Sequence, residues 1–493
     1  MLRITLWRAF SLCGALWLAG CSSLPTIVPD LAPRSSNTVR LEGARGVLSA
    51  AQSKAILDQL KRRSVGTDIF ERHLALEEAV VGSPMTTGNA VVLLQDGPAT
   101  YRAMFAAIKA ARDHINLETY ILEDDEVGQS FAAALIAKQQ QGVQVNIIRD
   151  SVGTLGTSAA FFKTLTDSGI KMLEFNPVNP LLARKSWALN QRDHRKLLIV
   201  DGSIAFLGGI NISSVYSGGS FSQGSRSSPR PVRPIPPANP NPSSERAAEG
   251  DVEGERVAND IKTNLAWRDT DLQLQGPVVA EFQKLFLTTW EKQHGETLVA
   301  SNFFPPSTSP GRQLVRAIGS SPSDPFSLIY ATLLSAIGSA ETSVYITNAY
   351  FVPDPQLLAT LEAAAARGVD VRLILPSQTD SWLVFHAGRG YYAQLLRAGV
   401  KIYERRGVIL HSKTALIDGV WATVGSTNLD WRSFLHNEEL NAVVLGVEFG
   451  SQVKTMFDKD LAASDAITLE QWQRRPIDLR IKEVFGRLWE YWL

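Results

Sequence analysis

Two short segments of this 493-residue chain repeat one another in residue type and spacing, and that duplication constrains the fold more than any other feature. The first runs His194-Arg195-Lys196-Leu197-Leu198-Ile199-Val200-Asp201-Gly202 and reaches Gly208-Gly209-Ile210-Asn211. The second runs His411-Ser412-Lys413-Thr414-Ala415-Leu416-Ile417-Asp418-Gly419 and reaches Gly425-Ser426-Thr427-Asn428. Counted from each histidine, Lys stands at +2, Asp at +7, Gly at +14 and Asn at +17. The chain holds only 7 His, so chance does not explain two of them carrying the same polar offsets.

The repeat extends into the flanking sequence. His114 to Leu122 reads as a strand, 128–140 as a helix and Gly142 to Ile148 as a second strand; Val344 to Val352, 355–367 and Gly368 to Leu375 repeat that order. Strand, helix, then Gly-Val opening a strand is a βαβ signature. The fold expected is therefore α/β, with two pseudo-symmetric lobes, each a mixed, mostly parallel sheet flanked by helices. Helical patterns are also read at 50–63 and 68–81. The lobes are assigned to 47–300 and 326–465, with 301–325, rich in Ser and Pro, as the linker. Residues 217–255 carry Ser-Gly repeats and clustered prolines that cannot pack a core, and read as a disordered insertion in the first lobe.

The repeated segments suit one chemistry. Each is a β-branched, apolar run, hence a strand, and residues two apart share a face. His194 and Lys196 therefore point the same way, as do His411 and Lys413. An imidazole beside an ammonium is an unfavourable pair unless an anion lies between them, and a phosphate meets that need. Asn211 and Asn428, following glycines that permit tight turns, add amide donors to the same oxyanion. Both cysteines, Cys13 and Cys21, lie in the first 21 residues, which excludes a Cys-based zinc site or thiol nucleophile in the body. Lys+Arg and Asp+Glu are both 49, which argues against a nucleic-acid binder relying on a basic surface.

These motifs resemble those of the phospholipase D superfamily, whose H-x-K-x4-D motif occurs twice, once per lobe. The resemblance covers most of residues 85–465. The segments Tyr350-Phe351-Val352-Pro353-Asp354, Arg367-Gly368-Val369-Asp370-Val371 and Gly425-Ser426-Thr427-Asn428-Leu429-Asp430-Trp431-Arg432-Ser433 are similar to its bacterial cardiolipin synthase branch. Gly209 departs from the second motif's Ser426, removing one hydroxyl from the first half.

The resemblance implies two displacements at phosphorus through a phospho-histidine, with His194 as nucleophile and His411 as the acid that protonates the departing alcohol. Pseudo-symmetry leaves the reverse assignment open. Lys196, Lys413, Asn211 and Asn428 are the implied phosphate donors. The catalytic motifs include Asp201 and Asp418, although these emerge on the opposite strand face, where they fix backbone or the partner lobe. General acid catalysis contributes about 10²–10⁴-fold, too little for phosphodiester cleavage alone. The remainder falls to covalent splitting of the step and to donors worth about 10²–10³-fold each. With two lysines supplying positive charge, no metal or other cofactor is expected, and a single half is expected to be inactive. The family also uses an acid to hold the other nitrogen of each histidine. Registering the apolar alternation of 267–274 on 437–444 picks Asp269 and Glu439, with Asp271 and Glu438 as close competitors. The other five histidines read as core residues; of these His386 is the one expected to approach substrate.

The ends of the chain add an address. Arg3 and Arg8 followed by the short apolar run Ala9 to Leu18 read as an export signal, 1–20. Leu18-Ala19-Gly20-Cys21 resembles the lipobox of bacterial lipoproteins, which implies acylation of Cys21, a tether over 21–46 and a place on the periplasmic side of the cell envelope. In that family a serine after the cysteine, here Ser22, is permissive for transfer to the outer membrane, so the resemblance implies the outer membrane over the inner. Residues 466–493 read as an amphipathic helix, interfacial or packed on the body. The expected activity is phosphatidyl transfer to phosphatidylglycerol, making cardiolipin at a membrane surface, with phosphatidylglycerol or phosphatidylethanolamine as donor. The alternatives are hydrolysis to phosphatidic acid, an exported phosphodiesterase or nuclease, and a catalytically idle lipid-binding lipoprotein.

Overall fold

The computed structural model describes residues 39–64, 67, 69–179, 188, 190–218, 265–299 and 301–493. The export signal 1–20, Cys21, most of the tether and nearly all of the 217–255 insertion lie outside the described residues.

Both crossover units form as read. Helix Glu126–Gln140 is N-capped by Asp125, which accepts from Gly128 N at 2.9 Å, and helix Pro355–Ala366 by Asp354, with proline in the first turn. Beyond each helix the chain reverses through a glycine in the left-handed region, Gly142 at φ 88° and Gly368 at φ 89°, a conformation strained for a side chain. Each crossover thus returns a strand parallel to the one before it.

Apart from the two-residue pair Trp267–Arg268 and Ile409–Leu410, the described strands form one mixed sheet. Its first half runs Lys171–Phe175, Gln144–Asp150, His114–Thr119, Lys196–Val200, Ile204–Gly208, Asp271–Gln275, Met85–Leu94. Its second half starts from Gln313–Ser320 and runs Asn437–Leu445, Trp421–Gly425, Lys413–Ile417, Ser343–Asn348, Asp370–Pro376, Lys401–Arg405. The halves mirror one another about the antiparallel seam between Met85–Leu94 and Gln313–Ser320. Within each half's run of strands the parallel part is three strands; each motif strand is antiparallel to the strand after it because a tight hairpin, not a helix, connects them.

Three boundaries differ from the sequence reading. The assigned linker 301–325 contains the eight-residue strand Gln313–Ser320, which pairs with both halves. Its apolar signal is broken by Arg316, which is buried against Glu77, with Nε 3.1 Å from Oε1. The tether's end is not free: Leu41–Gly43 pairs with Met85–Leu94, and Leu41 is buried. The C-terminal segment is Leu469–Gln473, Ile477–Arg487 and a last turn Glu490–Trp492, divided at Pro476.

An apolar cluster crosses the seam and mixes Leu197, Leu207 and Leu274 of the first half with Leu416, Val424 and Val444 of the second. Each such side chain, fully buried, contributes about 1.5–3 kcal/mol, so the lobes are held as one body by their core.

Candidate active site

Each motif histidine sits where the two halves exchange backbone. Arg192–Asp193 pairs in parallel with Asn437–Glu438 of the other half, and His194 N donates to Glu438 O at 3.0 Å. Trp267–Arg268 pairs in parallel with Ile409–Leu410, and His411 N donates to Arg268 O at 2.8 Å. The acids are consequently crossed. His194 Nδ1 lies 3.0 and 3.2 Å from the two carboxylate oxygens of Glu439, and His411 Nδ1 lies 2.7 Å from Asp269 Oδ2. With Nδ1–H donated to a carboxylate, each ring turns its Nε2 lone pair outward.

The competing acids have other tasks. Asp271 Oδ1 accepts from Ile210 N at 3.1 Å and pins the glycine turn, whereas Glu438 Oε2 accepts from Arg195 Nη2 at 2.7 Å. Arg195, between His194 and Lys196 in sequence, points away from them, as strand alternation requires, and also donates to Thr289 Oγ1 at 2.7 Å.

His194, His411, Asn211 and Asn428 line one cavity of about 400 Å³ at the seam, so the two imidazoles face a common space. Lys196 and Lys413 are buried behind them, each ammonium donating to the carbonyl of its own motif's histidine. Asn211 Oδ1 accepts from Ile121 N at 3.0 Å while its amide donates to Tyr216 Oη at 3.1 Å. Asn428 Oδ1 is buried without a hydrogen-bond partner among the described residues.

Electrostatics divide the site into neutral bases and fixed charges. Burial, reinforced by the Lys196 charge, pushes His194 down to about 4, and burial with Lys413 lowers His411. Burial alone would raise Glu439, yet His194, Lys196 and the Ser426 hydroxyl hold it down to about 2. The lysines are depressed by burial, Lys196 to about 7 and Lys413 to about 8. Near pH 7 both imidazoles are neutral and nucleophilic, and the lysine behind each, Lys196 above all, is partly deprotonated until an anion's charge favours its ammonium form.

Asp201 and Asp418 are not in the cavity. They occupy hairpin turns in the left-handed region, φ 51° and 50°, each followed by a left-handed glycine. Asp201 accepts from Asp113 N at 2.8 Å and Arg112 N at 2.9 Å; Asp418 accepts from Thr342 N at 2.8 Å and Ser343 N at 2.9 Å. Counted with the catalytic motifs, these aspartates instead tie each motif hairpin to the start of the neighbouring strand, because an odd offset puts them on the far face.

His386 does not approach the cavity either. It lies in helix Trp382–Arg389, not in a loop, and packs on Trp382 with ring centres 4.6 Å apart. Gly209 has a steric reason: a Cβ there would collide with the Asp269 carboxylate, whereas Ser426 donates to Glu439.

Residues the sequence reading did not single out complete the walls. Tyr120 meets His194 edge-on at 5.2 Å, Trp267 packs against His411 at 5.0 Å, and Tyr216 and Tyr350 also line the cavity. Tyr120 and Tyr350 each follow the strand that pairs with a motif strand, a signal that could have found both, and Tyr350 also opens one of the segments that carry the family resemblance.

Fold and site together define a two-lobed phosphotransfer enzyme of the phospholipase D superfamily. The family model described as "Cardiolipin synthase, PLD-like domain" matches residues 104–217 and 333–461, one region per lobe. The cardiolipin synthase of Geobacillus sp. (strain WCH70) is 33% identical over 418 residues, covering 84% of this chain and 74% of the relative. Cardiolipin synthase 2 of Bacillus anthracis is 33% identical over 398 residues, covering 80% of this chain and 69% of the relative. The crystal structure of phosphatidylserine synthase from Haemophilus influenzae Rd KW20 superposes with TM-score 0.57 at 12% identity, over 85% of this chain and 99% of that one, a likeness of fold. The chain belongs to the cardiolipin synthase family of phospholipase D-like proteins.

Proposed function

We propose that this protein synthesises cardiolipin by transferring a phosphatidyl group to phosphatidylglycerol. His194 Nε2 attacks the donor's phosphorus, a P–N bond forms, and the P–O bond to the headgroup alcohol breaks as His411, which takes up a proton from solution when the anionic phosphodiester enters, gives that proton to the departing oxygen. Neutral His411 then takes a proton from the terminal glycerol hydroxyl of phosphatidylglycerol, whose oxygen attacks phosphorus and frees His194. The observation that carries this reading is the crossed pair of histidine–carboxylate contacts opening on one cavity. The donor lipid is phosphatidylglycerol, releasing glycerol, or phosphatidylethanolamine, releasing ethanolamine. The motif Leu18-Ala19-Gly20-Cys21 supports acylation at Cys21 and an anchor on the periplasmic side of the cell envelope, at the outer membrane, beside the lipid substrate. Palmitate labelling that persists in Cys21→Ala would remove that anchor from the proposal.

Labelled phosphatidylglycerol in mixed micelles tests the activity. Cardiolipin with free glycerol is the expected outcome. Phosphatidic acid instead would make the protein a hydrolase, and DNA cleavage without lipid turnover would make it a nuclease. With bis-p-nitrophenyl phosphate, whose leaving group needs little protonation, His411→Ala is expected to release about one p-nitrophenolate per chain and stop, and His194→Ala none. A burst in His194→Ala would reverse the roles.

A further inference from the structure

The C-terminal helix Ile477–Arg487 packs with the wrong side out for a surface in water. At about 100° per residue, Ile477, Ile481, Val484 and Leu488 form one stripe, with Phe485 beside it. Ile477 is 74% and Leu488 75% exposed, and the others are exposed as well. The opposite side, which faces the protein, buries Glu483 and Gly486. Glu483 is only 5% exposed and accepts from Arg475 Nε at 2.9 Å. One turn away Gly486 lies directly on helix Trp382–Arg389, where a Cβ would come within 2.7 Å of Ala387 N. The helix is thus fixed by a backbone contact and a buried ion pair, and this holds its apolar stripe outward.

The apolar surface continues from this helix to the cavity. Trp382 packs against Phe485 at 6.4 Å, Trp489 and Trp492 are exposed, and Trp492 and Leu493 line the cavity that holds His194 and His411. Arg432 N donates to Leu493 O at 2.8 Å, which seats the chain end at that rim. Charged groups flank the stripe: exposed Arg480 and Arg487 on one side, with Arg487 Nε 3.6 Å from Glu490 Oε2, and exposed Lys482 on the other, 3.8 Å from Asp478 Oδ2, so that three cations outnumber two acids.

We propose that this stripe, with the tryptophans at its end, is the surface by which the protein lies on an anionic lipid bilayer, so that the cavity opens at the depth of the headgroups. The choice of a bilayer rests on the lipid substrate proposed above and on the basic flanks. A second copy on this surface would cover the cavity rim formed by Trp492 and Leu493. Aromatic residues at the end and cations at the sides are the pattern of a helix lying in the interface plane.

The test uses the full chain carrying Cys13→Ser, Cys21→Ser and Ile481→Cys, labelled at the single thiol with an environment-sensitive nitrobenzoxadiazole. Adding vesicles of phosphatidylglycerol and phosphatidylethanolamine is expected to raise emission several-fold, shift it to the blue and make it quenchable by doxyl lipid. Vesicle-bound protein with unchanged emission overturns the proposal, as does blue-shifted emission before vesicles are added that grows with protein concentration, the mark of self-association. In a second arm, Ile481→Glu with Leu488→Glu is expected to lower turnover of vesicle phosphatidylglycerol at least tenfold. Turnover of monomeric dihexanoyl phosphatidylglycerol should stay within twofold. Equal loss on both substrates, or on neither, overturns the proposal. If the unsubstituted enzyme turns over neither lipid, the proposed activity fails, and the fluorescent probe still decides the docking.

Discussion

The two buried lysines make a measurable demand on any anion that enters the site. Burial pushes Lys196 down to about 7, with the Lys413 charge adding to the effect, and pushes Lys413 down to about 8. At pH 8 Lys196 is therefore about nine-tenths neutral and Lys413 about half neutral. A dianion held between the motifs favours the charged form of both, so its binding draws about one to one and a half protons from solution. Sulfate is the suitable probe because it does not itself titrate near this pH. In an unbuffered pH-stat, neutral sodium sulfate at saturation is compared with sodium chloride at equal ionic strength, and the acid needed to hold pH 8 is counted per chain. Lys196→Met is expected to cut the uptake by about 0.9 proton. Uptake below about 0.2 proton, or uptake unchanged in Lys196→Met, would refute the reasoning that the motifs form an anion site short of protons.

Two further outcomes follow from the geometry. Glu439→Gln is expected to lower kcat about 10²–10⁴-fold with little change in KM, because the amide no longer fixes the His194 tautomer. Glu439 has a depressed carboxyl, so its stabilising effect is present above its unfolded value near 4.5 and is lost as pH falls toward about 2; urea unfolding across that window should show a flatter acid slope in the variant. Asp418→Asn is expected to cost about 2 kcal/mol in a thermal melt, since the amide nitrogen that replaces Oδ2 can no longer accept from Glu341 N and the charge that strengthens the bonds from Thr342 N and Ser343 N to Oδ1 is lost, while kcat of the folded enzyme stays within twofold.

Much of the site was legible because strand chemistry is periodic. His and Lys two apart had to share a face, and the alternation of 267–274 against 437–444 picked Asp269 and Glu439, the two acids the structure brings to the imidazoles. Which histidine each acid would meet was not legible. The exchange depends on parallel pairing of Arg192–Asp193 with Asn437–Glu438 and of Trp267–Arg268 with Ile409–Leu410, contacts between segments more than a hundred residues apart. The strand Gln313–Ser320 read as linker because Ser and Pro surround it and a buried Arg interrupts it. His386 was misplaced for a similar reason: the helix around it is short, and its packing on Trp382 is invisible to a reading of composition.

The primary structure alone determined the duplication, the crossover units, the residue types of the phosphate chemistry and the apolar period of the last helix, since all of these are local patterns with a period of two or about four. Tertiary structure decided the crossing of the carboxylates, the neutrality of the two imidazoles, the structural task of Asp201 and Asp418, and the outward turn of the stripe from Ile477 to Leu488. Each of these depends on which surfaces lose water against one another. An amphipathic pattern says that a helix has two sides, and only the buried Glu483 and the contact at Gly486 say which side the protein keeps.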